Sequence, residues 1–426
     1  MVFGCVALCC QAVLAAAPGG TFRPLPTHKT ILDNGLTVLV REDHGAPVVT
    51  AQFWVRAGSI TEGPWTGAGL SHVLEHMLFK GTTTRGVAQI ARDIENQGGS
   101  MNAYTSFEQT VFHINIPAEN WRTAVDILAD CMMHATIPEE ELAREKQVIL
   151  REMAMNRDDP DHRAERLLWS AAYIRHLFRH PVIGYPDIYN QVTRNDVVAY
   201  YQRMYRPNNI VFVVVGDVTA ADVLARLREL TKDFRMGPVE PAFVPPEPPQ
   251  LSPRERHEEM PIQISHLGLA WHIPAVTHPD VCALDVLAII LGQGRSSRLY
   301  RELQQKRGLV HSIEASSYTP SQPGLFSIEA TADADQRDAA IAAARAEVEK
   351  LRADPVTDDE CHKAVKISVS RYIDQLKTME GQASDIGQNE FLMATRITPR
   401  STWKNFSPSR RRISNASPAP ICSTVR

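Results

Sequence analysis

The sequence predicts an α+β chain made of two related domains, each an antiparallel-rich sheet flanked by helices. Three observations carry that expectation. The 426 residues, 44% hydrophobic and 22% charged, are too many for one ordinary domain and hold apolar material for two cores of about 200 residues each. A Pro-rich stretch at 237–253 (GPVEPAFVPPEPPQLSP) interrupts two long periodic regions; proline fixes φ and supplies no donor, so an extended linker is expected there. The regions it separates begin alike. Val48–Ala57 (VVTAQFWVRA) and Ile264–Ile273 (ISHLGLAWHI) both alternate like a strand and are followed by a helical pattern, as two copies of one unit would be. Domains are therefore expected at 22–236 and 254–395, with 237–253 between them.

Taken in order, Val6 to Ala17 is almost wholly apolar or small and ends in Leu14-Ala15-Ala16-Ala17, an A-x-A-like pattern that predicts a signal peptide over residues 1–17. The run is too short to span a bilayer, so a periplasmic or extracytoplasmic protein with no membrane span is expected after cleavage. Leu36–Arg41 and Val48–Ala57 read as strands, and Leu70–Phe79 as a helix ended by Gly81. Val111–Ile116 alternates as a strand does, while Trp121, Val125, Leu128 and Met132 recur at helical spacing and form a core face. Pro138 followed by Glu139, Glu140 and Glu141 starts a helix, because proline suits the first turn and acids favour its dipole. Pro160 stops that helix near Asp159. In the second region, Ile264–Ile273 is a strand and a helix begins at Val281. Residues 396–426 turn to Arg, Ser, Pro and Asn without apolar periodicity. This atypical tail reads either as disordered or as the product of a shifted reading frame, and the second reading is preferred.

The formal net charge of -4 supplies no basic field for nucleic acid, which is excluded as a partner. Cys131, Cys282, Cys361 and Cys422 lie beyond the signal without C-x-x-C spacing and read as buried small hydrophobes.

The chemistry-bearing motif is His72-Val73-Leu74-Glu75-His76. Histidines four apart on a helix share a face, where one cation can reach both. Zinc binds histidine nitrogen and, when catalytic, keeps an open position beside three protein ligands. Glu75, next to the second histidine, stands where a general base for hydrolysis belongs. The flanking Leu70, Val73, Leu74, Leu78 and Phe79 are apolar, so the helix is buried; two histidines and an acid without partners would be costly there. A third ligand must come from elsewhere, and the helix from Glu139 supplies Glu145 and Glu152, two turns apart on one face.

His-x-x-Glu-His is the inverzincin signature, and Gly69 to Thr82 around it (GLSHVLEHMLFKGT) resembles the pitrilysin/insulinase group of zinc peptidases, the bacterial processing-peptidase-like branch above all. The resemblance covers residues 28–390 and implies a zinc metalloendopeptidase. Its third ligand follows the motif by some 75 residues, ahead of Asp-Asp-Pro; here 75 residues separate His76 from Glu152, and Asp158-Asp159-Pro160 follows. The resemblance thus implies zinc held by His72, His76 and Glu152, with Glu75 as base. Glu145 is its second carboxylate, tuning the site. Asn102, Ala103 and Tyr104, in the run Asn102-Ala103-Tyr104-Thr105-Ser106, match the strand on which the family adds peptide substrate. Such chains pair to enclose a chamber that admits unfolded peptides. Active members also place an Arg and a Tyr seven apart in the second half, where this sequence has Gln304 and His311. That departure implies a heterodimer rather than a homodimer, in which a related subunit supplies the Arg/Tyr pair. The alternative is a non-catalytic, processing-peptidase-like structural subunit.

Overall fold

The computed structural model describes residues 25–393 and 421–425. Two sheets flanked by helices organise it. The first has six strands, β1 (His28–Ile31), β2 (Thr37–Glu42), β3 (Val48–Val55), β4 (Ser100–Thr105), β5 (Thr110–Pro117) and β6 (Ile210–Gly216). Their order across the sheet is β1-β2-β6-β3-β5-β4. The β2–β6 pair is parallel and the others are antiparallel. The second sheet has β7 (Arg254–Glu258), β8 (Ile264–Ile273), β9 (Ser312–Tyr318), β10 (Gly324–Asp333) and β11 (Ile421–Val425) in the order β7-β11-β8-β10-β9, with β7–β11 the parallel pair. With β1 set aside, the two orders and their pairing senses coincide strand for strand. The internal repeat expected from Val48–Ala57 and Ile264–Ile273 is thus a repeat of topology.

The helices that position the site are α1 (Leu70–Leu78), α2 (Gln89–Asn96), α3 (Trp121–His134), α4 (Glu139–Asp158), α5 (Pro160–Ala172), α6 (Arg194–Met204) and α7 (Ala220–Leu230). From the second region come α8 (Val281–Gly292), α9 (Arg337–Ala353), α10 (Asp358–Gln375) and α11 (Met379–Met393). Each bound foreseen in the first region lies within two residues of the observed element. Pro160 ends α4 as expected and then opens α5, its missing N–H costing nothing at a first turn.

Strands β3 and β6 are buried on both faces, which is why β6 reads as a near-continuous apolar run. Ala51, Phe53 and Val55 face the main core with Phe112, Val214 and α1, and the rings of Phe53 and Phe112 stack at 4.7 Å. Trp54, Val211, Val213 and Val215 face the opposite way, onto Met379, Ala383, Ile386 and Phe391 of α11. The outer face of the first sheet is therefore covered by a helix from the far end of the chain. The converse also holds. Helix α5, encoded in the first region, lies on β7, β8 and β11 of the second sheet, with Leu168 and Ala171 packed against Ala270 and Leu325.

Segment 237–253 has no helix or strand, as its prolines require, but it is tied down. The Glu247 carboxylate accepts the backbone N–H groups of Ile174, Arg175 and His176 at 2.9–3.1 Å and pairs with Arg254 at 3.1 Å.

The tail is described only in part. Residues 394–420 lie outside the described residues, as does the expected signal peptide at 1–17. Ile421–Val425, however, forms a strand inserted between β7 and β8, with Cys422 to Val425 buried. Ile-Cys-Ser-Thr-Val is rich in β-branched side chains, a signal too short to stand out from the polar run before it. Among the described residues no helix is long and apolar enough to cross a membrane.

Candidate metal centre

Helix α1 buries Leu70, Val73, Leu74, Met77 and Leu78 in the main core, and helical periodicity then turns His72, Glu75 and His76 to the other side. Helix α4 packs against α1; Leu142, Ile149 and Met153 are buried, which directs Glu145 and Glu152 at the histidines. Nε2 of His72 lies 3.6 Å from one oxygen of Glu152, and Nε2 of His76 lies 3.7 Å from the other. The structure thus brings His72, His76 and Glu152 together, with one ligand atom from each inside a 4.8 Å radius of the others.

These separations are too long for hydrogen bonds. They are close to the edge of a zinc coordination tetrahedron, about 3.4 Å for bonds of about 2.0–2.1 Å. Burial, with His76 alongside, pushes His72 down to about 3, so its imidazole is neutral and keeps a lone pair for a cation. Its Nδ1 is buried and has no hydrogen-bond partner among the described residues; no protein group fixes its tautomer, whereas a cation at Nε2 would. The donor set fits zinc.

Glu145 holds His76 from behind: one oxygen is 3.0 Å from Nδ1 of His76, the other 2.7 Å from Nζ of Lys80. Burial raises the proton affinity of this carboxyl, but the bonds from Lys80 and His76 outweigh it and leave it below its ordinary value. An anion bonded to Nδ1 orients the ring and presents Nε2 to a metal. Glu75 stands apart from the ligand set and accepts the Thr105 hydroxyl at 2.6 Å. Burial raises its proton affinity, and the Thr105 bond partly opposes that.

Strand β4 is an edge of the first sheet, so one side of its backbone is open to a further strand. Asn102, Ala103 and Tyr104 lie on it. Ala103 faces the α1 side, while Tyr104 packs on the opposite face against Trp54, edge to face at 6.3 Å. Alternation places the Asn102 side chain on that same far face, where its Oδ1 accepts the Ala103 N–H at 2.9 Å. What the strand presents to the metal side is its edge and Thr105. The Asn102 and Tyr104 side chains are not on that side.

Gln304 and His311 are brought together in the second half, but with each other. The Gln304 amide donates to the His311 carbonyl at 2.8 Å, and the His311 ring pairs with Asp333 at 3.0 Å. Sequence reasoning gave no role to Lys80 or Thr105. Lys80 was legible as a cation one turn past His76; Thr105 reaches Glu75 through a tertiary contact that no spacing encodes.

Comparison with known proteins gives the family. Residues 37–184 match the model of the insulinase family (peptidase family M16), and 191–368 match that of the M16 inactive domain. A protein of Mycobacterium leprae named as an uncharacterized zinc protease is 31% identical over 310 residues, covering 71% of this chain and 68% of its own. One of Bacillus subtilis, similarly named, is 27% identical over 365 residues, covering 86% and 88%. Among solved structures, a protease from Helicobacter pylori superposes with a TM-score of 0.83 at 22% identity, covering 94% of this chain and all of that one. A Pseudomonas fluorescens structure described as a peptidase M16 inactive domain gives 0.81 at 19%, covering 94% and 98%. By these matches, with an inverted His-x-x-Glu-His helix at its centre, the chain belongs to the insulinase family of peptidases, M16.

Proposed function

We propose that this chain is a zinc-dependent endopeptidase that cleaves unfolded peptides inside a closed chamber. In this reading it is the zinc-bearing subunit of a heterodimer, acting in the periplasm or another extracytoplasmic space after its signal is removed. The observation that carries the reading is the convergence of His72, His76 and Glu152, with Glu75 alongside but outside the ligand set. Zinc, when bound, acts as a Lewis acid that polarises a carbonyl and acidifies water. A peptide added to the open edge of β4 is held extended by main-chain hydrogen bonds. Glu75, anchored through Oε2 by Thr105, keeps Oε1 to accept a proton from the attacking water and to pass it to the leaving amine. Burial favours that transient proton by raising the carboxyl's affinity for it.

The partner follows from Gln304 and His311. Gln304 carries no cation, and both side chains are engaged locally, which supports a reading in which another subunit supplies oxyanion donors. The same observation favours a second reading, a non-catalytic structural subunit. The deciding experiment is hydrolysis of an unstructured peptide library by the mature chain, with and without chelator, after zinc per chain has been counted. Chelator-sensitive cleavage by the chain alone establishes a peptidase and removes the need for a partner. Stoichiometric zinc without cleavage, with activity appearing when a related subunit is added, supports the heterodimer. Failure to bind zinc leaves only the structural subunit.

A further inference from the structure

Helix α1 has nine residues, fewer than the about 12–15 an isolated helix needs to persist in water. Its first metal-side residue, His72, is the third of the nine. That is the turn whose backbone N–H groups have no partner within the helix, and the turn that frays first. The N-cap is Gly69, which has no side chain to cap with. It is held at φ +74°, and a Cβ there would come 2.2 Å from the Ile183 carbonyl oxygen. No ordinary capping residue fits.

The missing cap is supplied from seven residues upstream. Glu62 is 1% exposed, and its Oε2 accepts the Gly69 N–H while Oε1 accepts that of Ser71, both at 3.1 Å. The N–H groups of Ala68 and Leu70 also act on it. Burial pushes this carboxyl up while those N–H bonds pull it back, and the bonds are made by both of its oxygens. A helix N-terminus favours an anion, and a carboxylate offers two acceptors where glutamine offers one acceptor and an unwanted donor. Around it, the Ser71 and Thr61 hydroxyls each meet the Tyr200 hydroxyl at 2.7 Å, so the Glu62 turn and the first turn of α1 are also fastened laterally.

We propose that Glu62 is a positioning residue of the metal centre: its carboxylate holds the first turn of α1 so that His72 shares one cation with His76 and Glu152. The inference rests on the zinc reading above. A residue that merely caps a helix would change stability without changing metal affinity, which makes the two roles separable.

The test is zinc affinity of the full-length chain by competition with a chromophoric chelator, alongside the melting temperature of the zinc-free protein. Glu62→Gln is expected to bind zinc about 10–100-fold more weakly, the usual loss for an outer-shell partner. Glu62→Asp, which keeps the charge but is a methylene short, should lose less. Thr193→Ala is the control: Thr193 caps α6 through the Asp196 N–H, so its loss lowers stability and should leave zinc affinity unchanged. Zinc binding by Glu62→Gln within twofold of wild type overturns the inference, as does an equal loss in Thr193→Ala. If Glu62→Gln does not fold, Glu62→Asp decides alone, and unchanged affinity there overturns it. A wild-type chain that takes up no zinc defeats the metal reading and this inference with it. Normal wild-type uptake with indifferent variants defeats the inference only.

Discussion

Replacing Thr105 with valine removes one hydroxyl from the site and little else. The hydroxyl donates to Glu75 at 2.6 Å, and valine matches threonine in shape and in strand preference. The backbone around position 105 is held independently. Ser106 N–H bonds the Gln109 carbonyl at 2.8 Å, and the N–H groups of Ser59 and Ile60 bond the carbonyls of Ser106 and Phe107 at 3.2 and 3.0 Å. Glu108 accepts the Ser321 N–H from the second half at 3.0 Å and its hydroxyl as well. Strand β4 should therefore keep its register, leaving Glu75 without its one short donor. A hydrogen bond to a charged group contributes about 1.5–3 kcal/mol, or roughly 10–150-fold if all of it is expressed in turnover. The assay is steady-state hydrolysis of a quenched fluorescent peptide, with zinc counted per chain. We expect kcat to fall by that factor, KM to stay within about twofold, zinc to remain stoichiometric, and Thr105→Ser to restore most of the rate. The sign of the pH effect follows too: the Thr105 bond opposes the rise caused by burial, so its loss moves the acid limb of the rate profile to higher pH. A valine variant with full zinc and a kcat within about threefold of wild type would refute Thr105 as the anchor of the base, as would a loss confined to KM.

Three further outcomes are expected. Glu75→Gln should retain zinc and lose turnover by about 10²–10⁴-fold, the contribution of a general base; substantial residual turnover would remove Glu75 from that role. Glu360 is held down to about 2, chiefly by its bidentate bond from Arg298 at 2.6–2.7 Å. Its depressed value means the stabilisation is complete above the ordinary 4.5 and is lost as pH falls towards 2. After discounting for solvent, Arg298→Gln should remove about 1–2 kcal/mol of that acid-sensitive stability, visible as a flatter melting temperature between those pH values. Gly387→Ala places a Cβ 2.5 Å from the Trp54 ring; overpacking there costs about 1–3 kcal/mol, and an unchanged melt would show that α11 does not seat on the first sheet as described.

The sequence disclosed what is local or periodic. Alternation in Val48–Ala57 and Ile264–Ile273 announced the repeat because a strand sends successive side chains to opposite faces. The i,i+4 histidines and the seven-residue spacing of Glu145 and Glu152 announced two facing helix surfaces because helix geometry converts spacing into direction. Long-range placement was hidden. Nothing in the run of Glu62 says that it folds back under Gly69, since its partners are backbone N–H groups without a side-chain signature. Likewise, α11 carries no mark that its apolar residues belong to the first sheet. Asn102 and Tyr104 show a different limit: a motif marks a strand, but only the sheet decides which face each of its side chains takes.

The crossed covering of the two sheets by α5 and α11 makes each half an incomplete object. Cutting the backbone within 237–253 would leave two fragments, each still clasping the other by one helix, as in a domain-swapped pair fused end to end. Expressed separately, the first fragment would expose Trp54 and its valine neighbours on an uncovered sheet, and aggregation is its expected fate; expressed together, the fragments should reassemble. The same interlock bears on motion. Parting the halves would mean peeling a helix off a sheet, not bending a linker.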